Sequence, residues 1–165
     1  MKTEIYNLLS IIIQTLTFIV LILTVLAATR QFRASRTNTW AQAFQGCLNL
    51  LQDPKVIQAR AAVFEIGDKG TPLHSLSLED LENIDLVCRT YDAVGMMAKW
   101  GMIPAEIVAD SWCDSIRRLW PICEPRVKAH RSRRKANEFW DDFEWLYNQA
   151  VVFDNNRGVK SQKTL

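Results

Sequence analysis

No charged residue occurs between Ile5 and Thr29 of this chain, IYNLLSIIIQTLTFIVLILTVLAAT. An uncharged apolar run of that length is out of place on a solvated domain surface and reads as a transmembrane helix. At about 1.5 Å of rise per residue, Leu8 to Ala28 alone covers the roughly 30 Å hydrocarbon layer. Other absences narrow the chemistry. Cys47, Cys88, Cys113 and Cys123 show no CxxC spacing and lie in apolar helical patterns, so small buried hydrophobes are expected rather than a disulfide framework. His74 and His130 stand far from any cysteine pair with ligand spacing, so neither a zinc site nor another cofactor is expected. The chain has no GxxxxGKS/T, HExxH or GxSxG, and no GxGxxG after a strand, so it is not expected to be an enzyme. Lys plus Arg number 20 against 18 for Asp plus Glu, too even a balance to select a partner through net charge. No strand alternation or internal repeat competes with an all-α reading.

What is present begins with a polar track along the apolar helix. Asn7, Ser10, Gln14, Thr17 and Thr24 recur at three- and four-residue steps, completed by Leu21 and Ala28, with Thr15 and Thr29 the polar residues off the track. Lipid tails are as apolar as Leu, so hydrophobicity cannot drive helices together in a bilayer, whereas facing hydroxyls and amides can bond across an interface. The chain is therefore expected to pair with itself as a homo-oligomer. Two forms stand open: a helix dimer or small bundle held at this track, or a ring of copies around a polar pathway with Leu21 as a constriction that gates by dewetting.

Lys2 and the amino terminus face Glu4 on one side of the span, while Arg30, Arg33 and Arg36 follow it on the other. The positive-inside rule places the N-terminus outside an inner (cytoplasmic) membrane and the following domain in the cytoplasm. Val25-Leu26-Ala27 resembles a signal cleavage site, but the apolar core is too long for a signal peptide and its basic cluster lies after it.

The expected plan is one transmembrane helix followed by a compact cytosolic helical domain of about four to five helices. Residues 1–4 lie outside, 5–29 span, 30–52 form a juxtamembrane helix, 53–152 the domain, and 153–165 a loose polar tail. Phe44, Cys47, Leu48 and Leu51 share a face, Asp53-Pro54 restarts the chain as helix, and Gly67 is expected to end that helix ahead of a loop through Ser75. Ser77 with Asp80 resembles a capping box. Its helix lines up Leu81, Ile84, Cys88, Tyr91 and Ala98 before Gly101, and Glu79, Asp80, Glu82 and Asp85 favour the helix start. Pro104 opens the next helix, with bends expected at Pro121 and Pro125. A last helix is expected from Asn137 to about Val151, its Asp141, Asp142 and Glu144 on a solvated face. Trp112, Trp120, Trp140 and Trp145 are expected in the core, while Phe32 and Trp40 mark the inner membrane interface.

The order LENIDLVCRTYDAVGMMAKWGMIPAEIVADSWCDSIRRLWPICEPRV followed by FWDDFEWL, from Leu81 to about Gln149, resembles a bacterial family of small membrane-anchored proteins known as domain of unknown function four thousand seven hundred and sixty. The likeness rests on Gly101, Ile103, Trp120, Pro121, Phe143, Glu144, Trp145 and Leu146. It implies a helical cytosolic domain behind one span, and it carries no assigned catalysis.

RVKAHRSRRK is the strongest surface signal: Arg126, Lys128, Arg131, Arg133, Arg134 and Lys135 surround His130, with Arg117 and Arg118 one helix earlier. Three readings fit: a solvated segment balanced by the acidic helix after it, contact with anionic headgroups of membrane lipid, or a site for a nucleotide or oligonucleotide ligand whose phosphates Arg forks match. The favoured expectation is a self-assembling membrane protein whose helical domain binds an anionic ligand or partner and controls the membrane helices, a gated ion pore being one form this could take. In layout this is similar to bacterial membrane effectors of antiviral defence. The alternative is a membrane-tethered binding or regulatory protein that recruits a protein partner and has no pore.

Overall fold

A computed structural model describes the backbone of residues 2–162 and the side chains of residues 12–32 and 39–157. The described residues form helices α1 (Lys2–Leu51), α2 (Pro54–Lys69), α3 (Leu78–Lys99), α4 (Ala105–Arg134) and α5 (Asp141–Gln162), with a 3-10 turn at Leu73–Ser75 and no strand. The all-α expectation holds: one apolar N-terminal helix precedes a helical domain. The chain divides into two compact units, Met1–Thr39 and Trp40–Leu165.

In the first unit, Ile12–Phe32 is long and apolar enough to cross a membrane, and none of it is buried by protein. Arg33 and Arg36, whose charge sets the expected orientation, have side chains outside the described residues.

In the second unit, α3 packs against α2, α4 and α5. Cys47 and Leu51, at the end of α1, join Val63, Ile84, Val87, Cys88, Tyr91, Val94, Ile116, Leu119, Cys123, Phe143 and Leu146 in one core. Trp120 is buried with them, and Trp112, Trp140 and Trp145 pack against its edge. The four cysteines are free thiols, three of them fully buried.

Local chemistry explains most boundaries. Asp53 accepts the Lys55 N–H at 2.8 Å while Pro54 opens α2 at the position where its missing N–H is no loss. Ser77 and Asp80 form the reciprocal capping box at α3.

Three expectations are corrected. α2 runs past Gly67 to Lys69, because Gly70 takes the left-handed conformation (φ 61°) and its N–H reaches the Gly67 carbonyl. Gly67 serves packing instead: a Cβ there would overlap the Ile122 side chain, with Cγ1 at 2.8 Å. α4 stays helical through Pro121 and Pro125, both on its exposed stripe, where water can serve the carbonyls they leave unpaired. Its one non-helical residue is Trp112 (φ −131°, ψ 18°), whose ring lies 5.9 Å from Phe44. α5 begins at Asp141 rather than Asn137, because Lys135 and Trp140 adopt positive φ (53° and 57°) and turn the chain between them. It then continues to Gln162, so Asp154 to Gln162 is helix where a loose tail was expected.

Candidate functional site

Two regions carry the sequence candidates. Along the apolar helix, Gln14, Thr17, Leu21, Thr24 and Ala28 are exposed, while the Asn7 and Ser10 side chains lie outside the described residues. The hydroxyls of Thr17 and Thr24 donate to the carbonyls of Ile13 and Val20, both at 2.8 Å, and Thr29 donates to Leu26 at 2.9 Å. A hydroxyl satisfied by the carbonyl one turn back enters lipid without a partner helix. That removes much of the reason to pair through threonine. Among the described residues the Gln14 amide has no partner, so of the track residues described it is the one for which a second helix would do most.

The second region is the basic run, which α4 carries on its last turns. Its members divide. Leu119, Cys123, Val127 and His130 recur at four, four and three residues and point into the domain, so the run is threaded by an apolar stripe. Arg126, beside that stripe, forks onto Asp85 of α3, with Nε–Oδ1 and Nη2–Oδ2 both 2.8 Å. Arg131 donates through Nε to the Phe139 carbonyl at 2.9 Å and through Nη1 to Glu144 at 2.7 Å, tying α4 to α5. Arg117 pairs with Asp154. Arg118 sits over the Phe64 ring at 4.4 Å and near Asp68 and Asp114 at 3.9 and 3.8 Å. Lys128 pairs with Glu124 at 2.8 Å.

His130 is buried one turn beyond Arg126. Arg133 Nη2 lies 3.3 Å from its Nδ1; the guanidinium donates, so the proton of the neutral ring sits on Nε2. Nε2 is 3.4 Å from Asp85 Oδ1, close enough for electrostatic attraction but without hydrogen-bond alignment. Phe139 and Trp140 cover the ring, with centroids at 5.4 and 5.3 Å. Burial, reinforced by the Arg126 charge, pushes the His130 pKa below its usual value against the pull of Asp85. Burial would raise Asp85, but the Arg126 fork and charge outweigh it and hold the carboxyl below its usual range.

The structure thus reassigns acidic residues. Asp85 is a cross-helix partner of Arg126 rather than a helix-start charge. Of the expected solvated acidic face, Asp141 and Glu144 are 47% and 43% exposed and pair with Lys99 and Arg131, whereas Asp142 is only 16% exposed and takes Lys99 at 2.6 Å. Asp92 has a role that spacing did not suggest. Its Oδ1 accepts the N–H groups of Asp142 and Phe143, both at 3.1 Å, capping α5 from another helix. Burial and the Asp142 charge raise its pKa, opposed by those amides. Asp92, Asp141 and Asp142 bring carboxylate oxygens within 4.8 Å of one another, but the α5 amides and Lys99 already answer their charge.

Of the nine basic candidates, Arg133, Arg134 and Lys135 are exposed together at the end of α4, Arg133 with one nitrogen donating to His130 and Arg134 resting on the Phe139 ring at 4.4 Å. The far end of α4 holds a feature that sequence reasoning missed. The α3–α4 turn exposes Trp100 and Met102, and a lone Trp before Gly gives periodicity nothing to work on.

Comparison with curated proteins and with solved structures finds no match. A family profile does match, over residues 11–150, and it takes in the apolar helix as well as the helical domain. The chain belongs to the family described as Domain of unknown function (DUF4760).

Proposed function

We propose that this is a single-pass membrane protein that presents a helical binding domain at the cytoplasmic face of the bilayer and works by recruiting an anionic partner rather than by turnover. The observation that carries the reading is the Ile12–Phe32 helix, apolar and wholly unburied, joined to a domain that fills its own core without it. A helix of that composition has lipid as its natural solvent. The arginines that follow it favour the cytoplasmic side for the domain.

Arg133, Arg134 and Lys135 support recruitment, because their side chains are exposed and Arg forks suit carboxylate or phosphate. Arg126 and Arg131 support the fold instead. The test is twofold. The full chain should stay in the membrane pellet after alkaline carbonate treatment, and protease should reach the domain only from the cytoplasmic side. Replacing Arg133, Arg134 and Lys135 together by Glu should weaken retention on a single-stranded oligonucleotide or acidic peptide matrix by tenfold or more. Release by carbonate would end the anchoring reading, and unchanged retention the recruitment reading.

Self-assembly through the span, as a bundle or as a gated pore of the kind found in antiviral membrane effectors, is the second reading. The Gln14 amide, without a partner among the described residues, favours it. Gln14→Leu should then reduce crosslinking between copies, and a pore should give currents in planar bilayers that the same change alters.

A further inference from the structure

We propose that the α3–α4 turn is a second membrane contact, in which Trp100 and Met102 seat in the interfacial layer of the bilayer that holds the N-terminal helix. This rests on the anchoring reading above.

Trp100 stands apart from the tryptophans of the core: it is 76% exposed, and Met102 beside it is 47% exposed. Neither is loose. The Trp100 N–H donates to the Met96 carbonyl at 3.0 Å, Gly101 to Ala98 at 3.0 Å, and Met102 to Met97 at 3.0 Å. Gly101 supplies the left-handed residue (φ 69°) that the turn needs. Ala98 before the turn and Ile103 after it are buried, so the turn is pinned from below while its apolar tips are held in the open. Met96 and Ile107, 41% and 43% exposed, flank it. A turn with a fixed backbone that exposes Trp and Met, with exposed Met96 and Ile107 close by in sequence, suits a contact surface.

The chain itself identifies what covers it. Stepping back along α1, Leu50 lines one groove with Leu86, Thr90 and Ala93, Cys47 lies 3.6 Å from Met97, and the Phe44 ring lies 5.9 Å from Trp112. The Trp40 end of that segment therefore lies toward the α3–α4 turn. Only residues 33–39 separate Trp40 from Phe32, the last residue of the apolar helix. Even fully extended, that connection reaches no more than about 28 Å. The connection thus limits how far the Trp40 end of the domain can stand from the lipid around Phe32, and the lipid surface is where amphipathic Trp rings prefer to sit. Charge does not supply the attraction, since Lys99 is held by Asp141 and Asp142.

The experiment uses the full chain in phosphatidylcholine vesicles, with a photoreactive residue at one of two positions, Trp100→p-benzoylphenylalanine or Leu78→p-benzoylphenylalanine. Leu78 is 81% exposed but starts α3, roughly 32 Å along the helix from Trp100. The expected result is lipid adducts at position 100 at least fivefold above position 78, and brominated-lipid quenching of tryptophan emission that falls in Trp100→Phe. Equal yields at the two positions, or adducts at 100 to a second copy of the chain, would overturn the contact. Vesicle-bound protein after carbonate treatment with no lipid adduct at 100 overturns this inference alone; release by carbonate overturns it together with the anchor.

Discussion

Gly95→Ala should destabilise the domain, although in an ordinary helix interior that change helps. Gly95 is buried in α3, and a Cβ there would come within 2.7 Å of the Asp142 carbonyl carbon and closer still to its oxygen. The obstacle is backbone, so no rotamer can move aside: α3 and α5 must separate. Overpacking of this kind costs about 1–3 kcal/mol. Separation also stretches the bonds from Asp92 to the Asp142 and Phe143 amides, a capping contribution of about 1–2 kcal/mol. Helix propensity returns about 1 kcal/mol. The net is a loss of about 1–4 kcal/mol, or roughly 4–16 °C in Tm for a domain of this size. Gly46→Ala is the matched control, because nothing lies within 4 Å of its Cβ position and the same propensity gain should appear unopposed, at about 0.5–1 kcal/mol. Thermal melts of the full chain in detergent, followed by circular dichroism, check both. Equal shifts in the two variants would refute the close α3–α5 approach.

Arg126→Met should cost about 2–3 kcal/mol by leaving Asp85 half-buried without its fork, with His130 alone beside it, and much of that should return in the double variant with Asp85→Leu, as read from a denaturation cycle. His130 makes stability pH-dependent: its folded pKa is depressed, so the unfolded chain binds the proton more readily, and stability should fall as pH drops below about 6.5, with a slope no steeper than about 1.4 kcal/mol per pH unit. His130→Gln should flatten that slope in melts between pH 7.5 and 5.5. Asp92→Ala should lower stability by about 1–2 kcal/mol, whereas Asp92→Asn, which keeps an acceptor and removes a carboxyl whose raised pKa disfavours the charged form, should cost less.

The element order was legible because periodicity and caps are local. Ser77 and Asp80 are three residues apart and declare the start of α3; Leu119, Cys123 and Val127 declare a buried face. What was not legible joins distant positions. Asp85 and Arg126 are 41 residues apart, and each had a plausible local explanation, as a helix-start charge and as part of a basic run. The apolar stripe through that run was the available sign that it is half interior. Asp92 caps amides 50 and 51 residues away, and nothing in its neighbourhood announces that. Gly67 and Gly95 illustrate the remaining ambiguity: Gly67 reads as a helix end in sequence and Gly95 as an ordinary interior position, yet both lie inside helices where another chain segment needs the space of a missing side chain.

The two ends of α4 constrain each other. Ala105 opens it beside the apolar turn, and Arg133 and Arg134 close it at the basic cluster. Beyond the break at Trp112, the regular stretch from Cys113 to Arg134 is about 32 Å long. A helix lying flat on lipid would bring both ends to the surface, but the exposed side of α4 carries Glu106, Asp110, Asp114, Arg117, Arg118 and Lys128, charges of both signs with no apolar stripe to bury. If the turn seats in the interfacial layer, a flat-lying α4 is disfavoured, and Arg133, Arg134 and Lys135 are expected to meet a partner in solution rather than headgroups. A photoreactive residue in place of Arg134 should give far less lipid adduct than one at Trp100, and raising the anionic lipid fraction should leave that ratio unchanged. Equal adducts at 100 and 134 would mean that the basic cluster reads headgroups after all.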